Sequence, residues 1–439
     1  MENNGPAAIL VIFGISGDLS QRFLLPALAE INRVGSLPKD FKIIGISRSP
    51  LNLQEILQNS LESLQPYCEP LQMDLELADS YYALHQKIQT LSNNFGSQPE
   101  IIYYLSVPPF AVLPIIKHLG PAGLNLPSAK LLLEKPFGTD LDSARNLIAE
   151  IANHFSQEQV YRVDHYLAKE MAQNIVVFLG SNSLFRGIWN NHFVEKIEIE
   201  ALEQIGVEGR ANFYESTGAL RDLVQSHLLQ LAALTLMEPC SSMFEFEELP
   251  ARRLAALKGL RADLNSVRRG QYQGYKNDVN NQDSQVETFV QLGLKSDNPR
   301  WEGVPVILTT GKRLNEKRTQ IRIHFKKTNN AKENLLVLGI QPKEGIELKL
   351  WVKQPGYERQ LQKLPLEFKY DKHFERLPEA YEQVLVDVMQ SNQSLFASGD
   401  EVLASWEILQ PVLDQWATGS SDLIFYKPGN SIYELLEHN

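Results

Sequence analysis

The stretch Ala7-Ala-Ile-Leu-Val-Ile-Phe13-Gly14-Ile-Ser-Gly17-Asp-Leu-Ser20 decides the fold of the first part of the chain. Its continuous apolar run is typical of a strand that is buried on both faces of a sheet. Glycines follow, and then a helical pattern, which is the context of a dinucleotide-binding turn. Glycine allows backbone N–H groups to approach a pyrophosphate, and a helix amino terminus favours its charge. The spacing alone is a weak signal, because Ser20 replaces glycine or alanine at the third position. The residues predicted to contact a dinucleotide here are Gly14, Ser16, Gly17, Asp18 and Leu19.

Strand and helix patterns alternate along the rest of the first 165 residues. Pro26 should interrupt the first helix, so a second helix is predicted from about Pro26 to Val34. The segment around Cys68–Met73 is predicted to be irregular. Strands are predicted at Phe41–Ser47, Ile101–Ser106, Lys130–Glu134 and Val160–Val163, and helices at Leu51–Leu64, Tyr81–Leu91, Pro108–Leu119 and Leu141–His154. Such repeated units indicate a parallel sheet with right-handed crossover connections.

The pattern changes after Tyr166, where strands follow one another without crossover helices and therefore predict an antiparallel sheet. The polar stretch Tyr272–Ser284 is predicted to be a mobile loop. Helices are predicted at Lys169–Leu179, Thr217–Leu236, Pro378–Gln390 and Asp400–Trp416, and strands at Phe193–Glu203, Val286–Leu294, Val304–Thr310, Gln320–Phe325, Leu335–Ile340 and Gly345–Val352. A chain of 439 residues is too long for one hydrophobic core. We therefore predict an α/β, Rossmann-like dinucleotide-binding domain over residues 1–165. A larger α+β domain with a mostly antiparallel sheet, for substrate binding and oligomerisation, is predicted over residues 166–439.

Composition excludes several classes of function. A hydrophobic content of 43% with 22% charged residues is ordinary for a soluble globular protein. The formal charge of −11 argues against nucleic-acid binding. Two cysteines indicate neither a disulfide framework nor a metal cluster, and no metal is expected. Met1–Pro6 lacks a basic leader region and Ala7–Phe13 is too short to cross a membrane, so we expect a cytoplasmic enzyme without a membrane partner.

Residues at two strand ends bear on the cofactor. A carboxylate at the end of the second strand would accept the ribose hydroxyls of NAD and repel a 2′-phosphate, but the sequence there is Ser47-Arg48-Ser49. Arg48 therefore indicates NADP, since a charge-assisted contact contributes about 1.5–3 kcal/mol. The alternative is an ordinary surface arginine. Lys135 precedes Pro136, which disfavours helical dihedrals in the residue before it. Lys135 is thus expected to extend over the sheet edge toward both cofactor and substrate.

The run Tyr161-Arg-Val-Asp-His-Tyr-Leu-Ala-Lys-Glu170 combines ionisable side chains at the end of a predicted strand, where ligands bind in parallel sheets. An ordinary solvated turn is the alternative. The run resembles the Arg-Ile-Asp-His-Tyr-Leu-Gly-Lys-Glu signature of the glucose-6-phosphate dehydrogenase family, with Val163 for isoleucine and Ala168 for glycine. Ile12–Leu28 resembles the glycine-turn motif of the same family, in which lysines are frequent at the positions of Gln21 and Phe23. The resemblance extends from about Ile9 to Leu413.

His227 lies on a predicted apolar helical stripe, so on the residues alone it is either a core histidine or a buried functional group. Its surroundings, Arg221-Asp-Leu-Val-Gln-Ser-His-Leu-Leu-Gln230, resemble the family stretch that contains the catalytic base. Oxidising a hemiacetal requires removal of the anomeric hydroxyl proton, and imidazole has a suitable pKa. The resemblance gives Asp164 as the carboxylate that orients the histidine.

The resemblance implies NADP-dependent oxidation of glucose 6-phosphate by a homodimer or homotetramer. It implies catalytic roles for His227 and Asp164, and it adds Lys135 to the cofactor contacts. The substrate contacts that it implies are Lys135, His165, Tyr166, Lys169, Glu203, Asp222, Lys312, Lys317 and Gln341. Two alternatives stay open. One is a sugar dehydrogenase of the glucose-fructose oxidoreductase type, which shares Glu134-Lys-Pro136. The other is a non-catalytic NADP-binding paralogue, suggested by the departures Gln21, Phe23, Ala168 and Lys317.

Overall fold

The structure, a computed structural model, describes residues 6–240, 246–327, 332–419 and 422–437. The first five residues, which bear on the expected absence of a leader, lie outside the described residues. The chain divides into two compact units. The first comprises the described residues of Met1–Gly138, Asp142–Ala168 and Pro378–Gly399, and the second comprises those of Thr139–Leu141, Lys169–Leu377 and Asp400–Asn439. A segment late in the sequence therefore belongs to the first unit.

Strands and helices are labelled in chain order over the described residues. The strands are β1 Ala8–Phe13, β2 Phe41–Ser47, β3 Cys68–Gln72, β4 Glu100–Leu105, β5 Ala129–Leu133, β6 Val160–Val163, β7 Val194–Leu202, β8 Leu260–Ala262, β9 Arg268–Tyr272, β10 Phe289–Ser296, β11 Val306–Gly311, β12 Arg318–Phe325, β13 Leu335–Gln341, β14 Gly345–Lys353, β15 Leu361–Lys369, β16 Phe396–Ala397 and β17 Leu423–Tyr426. The α-helices are α1 Leu25–Arg33, α2 Leu53–Ile56, α3 Ala78–Phe95, α4 Pro109–Leu119, α5 Leu141–Ala152, α6 Glu170–Ser181, α7 Ser183–Arg186, α8 Ala211–Ala219, α9 Leu229–Leu236, α10 Leu249–Lys258, α11 Tyr275–Asp278, α12 Ala380–Met389, α13 Gly399–Ala417 and α14 Ile432–Glu437. Two π-helical segments, Ser20–Leu24 and Leu220–Leu228, continue directly into α1 and α9.

The sheet of the first unit has the strand order β16-β6-β5-β4-β1-β2-β3. All neighbours are parallel except β16, which pairs antiparallel with β6. The order β3-β2-β1-β4-β5-β6 is that of a doubly wound dinucleotide-binding sheet. In such a sheet the ligand crevice lies at the switch point between β1 and β4, where the strand order reverses. The predicted Rossmann-like α/β fold is confirmed, and all six residues of β1 are buried as the apolar run predicts.

Three predictions in this unit are wrong. The expected break at Pro26 is absent, because Leu24 and Leu25 keep helical dihedrals and carry the π-helical segment directly into α1, which corresponds to the predicted helix from about Pro26 to Val34. The predicted helix Leu51–Leu64 is instead α2 and a separate 3₁₀ segment, Asn59–Leu64, whose first residue has a positive φ of 57°. The stretch predicted to be irregular contains the edge strand β3, which tolerates Pro70 because an edge strand has unpaired backbone positions.

Helix α12 completes the core of the first unit. Its buried residues Ala380, Val384, Leu385 and Val388 join the same apolar cluster as the side chains of β1 and α1. The helix is predicted from sequence, but its packing on this sheet involves contacts between residues that are far apart in the chain.

The sheet of the second unit has the order β15-β14-β13-β12-β7-β11-β10-β9-β17, with β8 paired to β10. Its pairs are antiparallel except β7 with β11 and β9 with β17. The predicted α+β class is confirmed, although β8, β9, β15 and β17 were not predicted.

No helix in the described part of the chain combines the length and the apolar character that a membrane crossing requires.

Two segments of the second unit differ from their sequence predictions. The predicted helix Thr217–Leu236 is interrupted at Gly218, whose φ of 68° and ψ of 178° are not helical. The stretch Tyr272–Ser284, predicted to be a mobile loop, contains α11 and is anchored by the fully buried Tyr275. The hydroxyl of Tyr275 donates a 2.7 Å hydrogen bond to Glu215. Polar composition therefore reports the exposed positions of this stretch and misses its aromatic anchor.

Candidate functional site

The glycine turn lies at the point where β1 and β4 end side by side. Gly14 has a φ of 84°, and a Cβ there would lie 2.4 Å from the backbone oxygen of Ser106, so only glycine fits. The Gly17 N–H donates to the Gly14 oxygen at 2.9 Å. The buried Ser20 hydroxyl donates to that same oxygen at 2.9 Å and lies 3.0 Å from the Ser106 hydroxyl. The serine that weakens the sequence fingerprint therefore braces the turn.

The outer part of this turn is open to a ligand. Ser16 and Asp18 are exposed, while Gly17 and Leu19 are half-buried. The chain continues from Asp18 into helical structure, and the Gln21 N–H donates to the Gly17 oxygen at 3.0 Å. A turn closed by glycine at a helix amino terminus fits the pyrophosphate of a dinucleotide.

Arg48 follows the last residue of β2 and is exposed. Its backbone oxygen accepts a hydrogen bond from the Gln72 amide at 3.1 Å, and the Ser47 hydroxyl donates to the Ser49 oxygen at 2.9 Å. The backbone of this turn is thus fixed, whereas the guanidinium forms no ion pair within the described residues. A fixed turn with an available guanidinium fits the 2′-phosphate of NADP.

Lys135 follows β5 and stands beside a buried carboxyl group. The Tyr104 hydroxyl donates a 2.5 Å hydrogen bond to Glu134. Burial raises the pKa of Glu134 to about 7, although this hydrogen bond, the neighbouring Lys135 ammonium and a hydrogen bond from Tyr381 favour the ionised form. The Lys135–Pro136 peptide bond is cis. Sequence reasoning singled out Lys135 but assigned no role to Glu134, Tyr104 or Tyr381.

Asp164, His165 and Tyr166 form the turn that follows β6. Asp164 is 3% exposed, and its carboxylate accepts the backbone N–H of Tyr166 at 3.0 Å. The rings of His165 and Tyr166 meet edge to face at a centroid distance of 5.0 Å. Ala168 is buried and is not among the residues with positive φ, so the replacement of glycine introduces no backbone strain. The run of ionisable residues therefore lies at the carboxyl edge of the sheet, as predicted from the strand end.

Phe23 takes part in an aromatic stack in the first unit. Its ring centroid lies 5.4 Å from that of Tyr381, which in turn stacks on His165 at 6.2 Å with an interplanar angle of 13°. Gln21 donates from its amide to the Ile15 oxygen at 3.0 Å. The two positions at which relatives often have lysine thus make specific contacts here, and Phe23 supports His165 through Tyr381.

The π-helical segment Leu220–Leu228 carries the predicted base. All its side chains are buried except that of Arg221, with His227 2% and Asp222 8% exposed. A π-helical turn widens the helix and occurs frequently at functional sites. A buried ionisable side chain needs a hydrogen-bonding partner, and a core histidine and a functional one meet this need equally well, so the role of His227 as the base stays a prediction.

Four predicted substrate residues lie at one edge of the second sheet. β7 and β11 are parallel neighbours that end together, so Glu203 and Lys312, the residues that follow them, emerge side by side. The Lys312 ammonium lies 2.5 Å from the Glu203 carboxylate. Lys317, which precedes the antiparallel β12, and Gln341, which ends β13, reach the same edge through the pairs Arg318–Leu202 and Thr319–Gln341. Lys317 is exposed and forms no ion pair within the described residues.

Tyr214 lies beneath this edge and went unassigned in the sequence analysis. The Lys312 ammonium lies 5.0 Å from the centroid of its ring, within the range of a cation–π contact. Burial, followed by the carboxylates of Asp222 and Glu287, holds the pKa of Tyr214 well above its usual value. The tyrosine therefore stays neutral and lies near both the helix carboxylate and the sheet-edge lysine.

Lys169, another predicted contact, is half-buried and directly precedes α6.

A doubly wound sheet with a glycine turn at its switch point, in a chain that also carries a buried histidine helix, defines a dinucleotide-dependent oxidoreductase. The family description "Glucose-6-phosphate dehydrogenase, NAD binding domain" matches residues 11–174, and "Glucose-6-phosphate dehydrogenase, C-terminal domain" matches residues 176–434. The chain belongs to the glucose-6-phosphate dehydrogenase family. The resemblance predicted from the run at Asp164 is confirmed.

Relatives match over nearly the whole chain. A glucose-6-phosphate 1-dehydrogenase of Chlamydia muridarum is 35% identical over 94% of this chain and 91% of its own length. That of Bacillus subtilis is 34% identical over 98% and 95%, respectively. A solved glucose-6-phosphate dehydrogenase in complex with its substrate glucose 6-phosphate has a TM-score of 0.92 and 30% identity, with coverage of 100% of this chain and 98% of that one. The similarity therefore extends through both units.

Proposed function

We propose that this protein oxidises β-D-glucose 6-phosphate to 6-phosphoglucono-δ-lactone while it reduces NADP⁺, the first step of the oxidative pentose phosphate route. The observation that carries the proposal is the pairing of Lys312 with Glu203 beside Lys317 and Gln341 at one sheet edge. In a chain of net charge −11, such a local concentration of donors and lysines favours an anionic, hydroxyl-rich ligand.

The first unit supplies the cofactor contacts in this proposal. The turn from Gly14 to Leu19 holds the pyrophosphate through backbone N–H groups, and Arg48 pairs with the 2′-phosphate. Lys135 lies at the end of β5, where it contacts both cofactor and sugar. When bound, NADP⁺ supplies the hydride acceptor.

The substrate contacts divide by the chemistry of the groups they meet. His165, Tyr166, Lys169 and Lys317 bind the phosphate. Glu203 and Asp222 accept hydrogen bonds from sugar hydroxyls, whereas Lys312 and Gln341 donate to sugar oxygens. Lysine at Lys317 makes a single-point contact, in contrast to the two parallel bonds that an arginine forms with a phosphate.

The chemical step removes a proton from the anomeric O–H bond and a hydride from the C–H bond of the same carbon, C1. His227 accepts the proton of the anomeric hydroxyl as that oxygen becomes the lactone carbonyl and the hydride leaves C1. Asp164 orients the imidazole and stabilises the imidazolium that forms. A neutral imidazole is therefore needed at the start of each turnover.

We further propose a cytoplasmic homodimer or homotetramer. One face of β14 and of the edge strand β15 is apolar and partly uncovered, with Val352 39%, Leu364 42% and Leu366 67% exposed. The opposite face of the two strands carries charged residues such as Glu347, Lys349 and Lys363, which alternate along each strand with the apolar ones. An exposed apolar sheet face beside a charged one supports association through the second unit.

The deciding experiment measures NADPH formation by the purified protein with glucose 6-phosphate, glucose and other sugar phosphates, together with NADP binding. Turnover with glucose 6-phosphate that exceeds turnover with glucose by orders of magnitude supports the proposal. Comparable use of glucose would favour a sugar dehydrogenase of the glucose-fructose oxidoreductase type. NADP binding without turnover of any sugar would indicate a non-catalytic paralogue.

A further inference from the structure

Glu287 has a buried carboxyl group for which the proposed mechanism has no use. It is 4% exposed and lies two residues before β10. Its side-chain Oε1 accepts the backbone N–H of Leu220 at 2.9 Å, and its backbone oxygen accepts that of Ala219 at 3.0 Å. Both donors stand at the start of the π-helical segment that carries Asp222 and His227. The first N–H groups of a helix have no acceptor inside it, so Glu287 supplies acceptors from another element.

Gly218 makes room for this carboxyl group. Its φ of 68° interrupts the helical backbone near the end of α8, two residues before the π-helical segment begins. A Cβ at this position would lie 2.4 Å from Oε1 and 2.8 Å from Oε2 of Glu287. The Glu287 carboxyl therefore fills the space that any side chain at position 218 would need, and the break in the helix and the buried carboxyl depend on each other.

The residue after Glu287 holds the sheet-edge lysine. The backbone oxygen of Thr288 accepts the N–H of Lys312 at 2.9 Å. The Tyr426 hydroxyl lies 2.9 Å from the Thr288 hydroxyl and donates to the Lys312 oxygen at 2.7 Å. Two consecutive buried residues thus connect the helix of His227 with the backbone of Lys312.

We infer that Glu287 is a positioning residue for the base: it fixes the start of the π-helical segment and thereby the placement of His227 and Asp222 relative to Lys312. The inference rests on the proposed function for its catalytic readout. Burial raises the pKa of Glu287, while the N–H donors and the charges of Arg221 and Arg269 act in the opposite direction. Since the Glu287 side chain acts by accepting the backbone N–H of Leu220, a neutral side chain with an oxygen in the same place should replace it.

The test compares Glu287→Ala with Glu287→Gln. The alanine variant should lower kcat by roughly 10–100-fold, since misplacing a base by about 1 Å can cost that much. The KM for NADP should stay within about 2-fold, because the proposed nucleotide contacts lie in the other unit. The glutamine variant should recover kcat to within about 3-fold of wild type, since its amide oxygen can accept the Leu220 N–H.

Val290→Ala is the matched control, because Val290 is fully buried on β10 and, among the described residues, its backbone is paired with the neighbouring strands β9 and β11. Hydrogen exchange measured by mass spectrometry over residues 218–228 reports placement independently of turnover. Faster exchange there in Glu287→Ala alone, with rescue by glutamine, supports the inference. Equal exchange and equal kcat loss in Glu287→Ala and Val290→Ala, or a glutamine variant as impaired as alanine, would overturn it. An inactive wild type would remove the proposed function, while the exchange data would still decide the placement.

Discussion

The Lys312 ammonium lies 2.5 Å from the Glu203 carboxylate and 5.0 Å from the centre of the Tyr214 ring. The lysine is 9% exposed and follows a strand that is parallel to the one preceding Glu203. This pair is held in place by sheet geometry before any ligand arrives. Its arrangement therefore makes a direct prediction about substrate affinity.

Lys312→Met should raise the KM for glucose 6-phosphate by roughly 10–100-fold, the loss expected when a charged hydrogen-bond donor is removed. The KM for NADP should change little. Steady-state kinetics with each substrate varied in turn measures both effects. Lys349→Met, which removes a lysine from β14, is the control and should behave as wild type. An unchanged KM for the sugar phosphate in Lys312→Met would remove this lysine from the substrate site.

Arg48→Ala should weaken the use of NADP and leave the use of NAD almost unchanged. The exposed guanidinium forms no ion pair within the described residues, so its removal breaks no salt bridge among them. We expect the KM for NADP to rise about 10- to 100-fold, corresponding to about 1.5–3 kcal/mol. Arg145→Ala, another exposed arginine of the first unit, serves as the control. Equal use of both coenzymes by the wild type would contradict the assignment.

Glu134→Gln should gain stability relative to wild type as the pH rises. The pKa of Glu134 is raised to about 7 by burial, so the folded state binds more protons than the unfolded state between about pH 4.5 and 7. The wild type therefore loses stability across this range as the carboxyl ionises, whereas a glutamine does not ionise. The free energies of unfolding of the two proteins should be similar at pH 5. At pH 8 the free energy of unfolding of the glutamine variant should be higher by up to roughly 1–3 kcal/mol, which denaturant titration at each pH measures. A difference that does not vary with pH would show that the carboxyl titrates normally.

Leu366→Asp should shift the protein toward the monomer. Leu366 is 67% exposed on the apolar face of β15, and a carboxylate at the centre of an interface is costly to desolvate. Light scattering coupled to size-exclusion chromatography measures the mass. Lys363→Asp on the opposite face of the same strand is the comparison. A wild type that is monomeric at micromolar concentrations would refute the proposed oligomer.

Local patterns were sufficient to predict the elements that depend on local chemistry. β1 is an unbroken apolar run, and Gly14 occupies a positive φ that glycine alone fits, so both could be predicted from neighbouring residues. The edge strand β3 was missed because it is short and contains Pro70. The expected break at Pro26 was wrong because the preceding π-helical turn could not be foreseen from apolar spacing.

Long-range partners account for most of what sequence reasoning could not find at the site. Tyr381 reaches His165 and Glu134 from a helix late in the chain, and no local pattern marks it as a neighbour. In the sequence, Glu287 lies at the start of a predicted strand, and Gly218 lies at the start of a predicted helix. Their mutual dependence appears only when the two segments are brought together. By contrast, the spacing of His227 on its apolar stripe did predict its burial.

The most direct test of the central claim is kcat for glucose 6-phosphate oxidation by His227→Asn, measured in protein whose folding and NADP binding match those of the wild type. If His227 is the base, its replacement by asparagine should lower kcat by roughly 10²–10⁴-fold or more and leave sugar binding nearly intact. The acid limb of the kcat profile against pH should also disappear. Near-normal kcat in a well-folded His227→Asn protein would contradict the mechanism and leave His227 as a core residue.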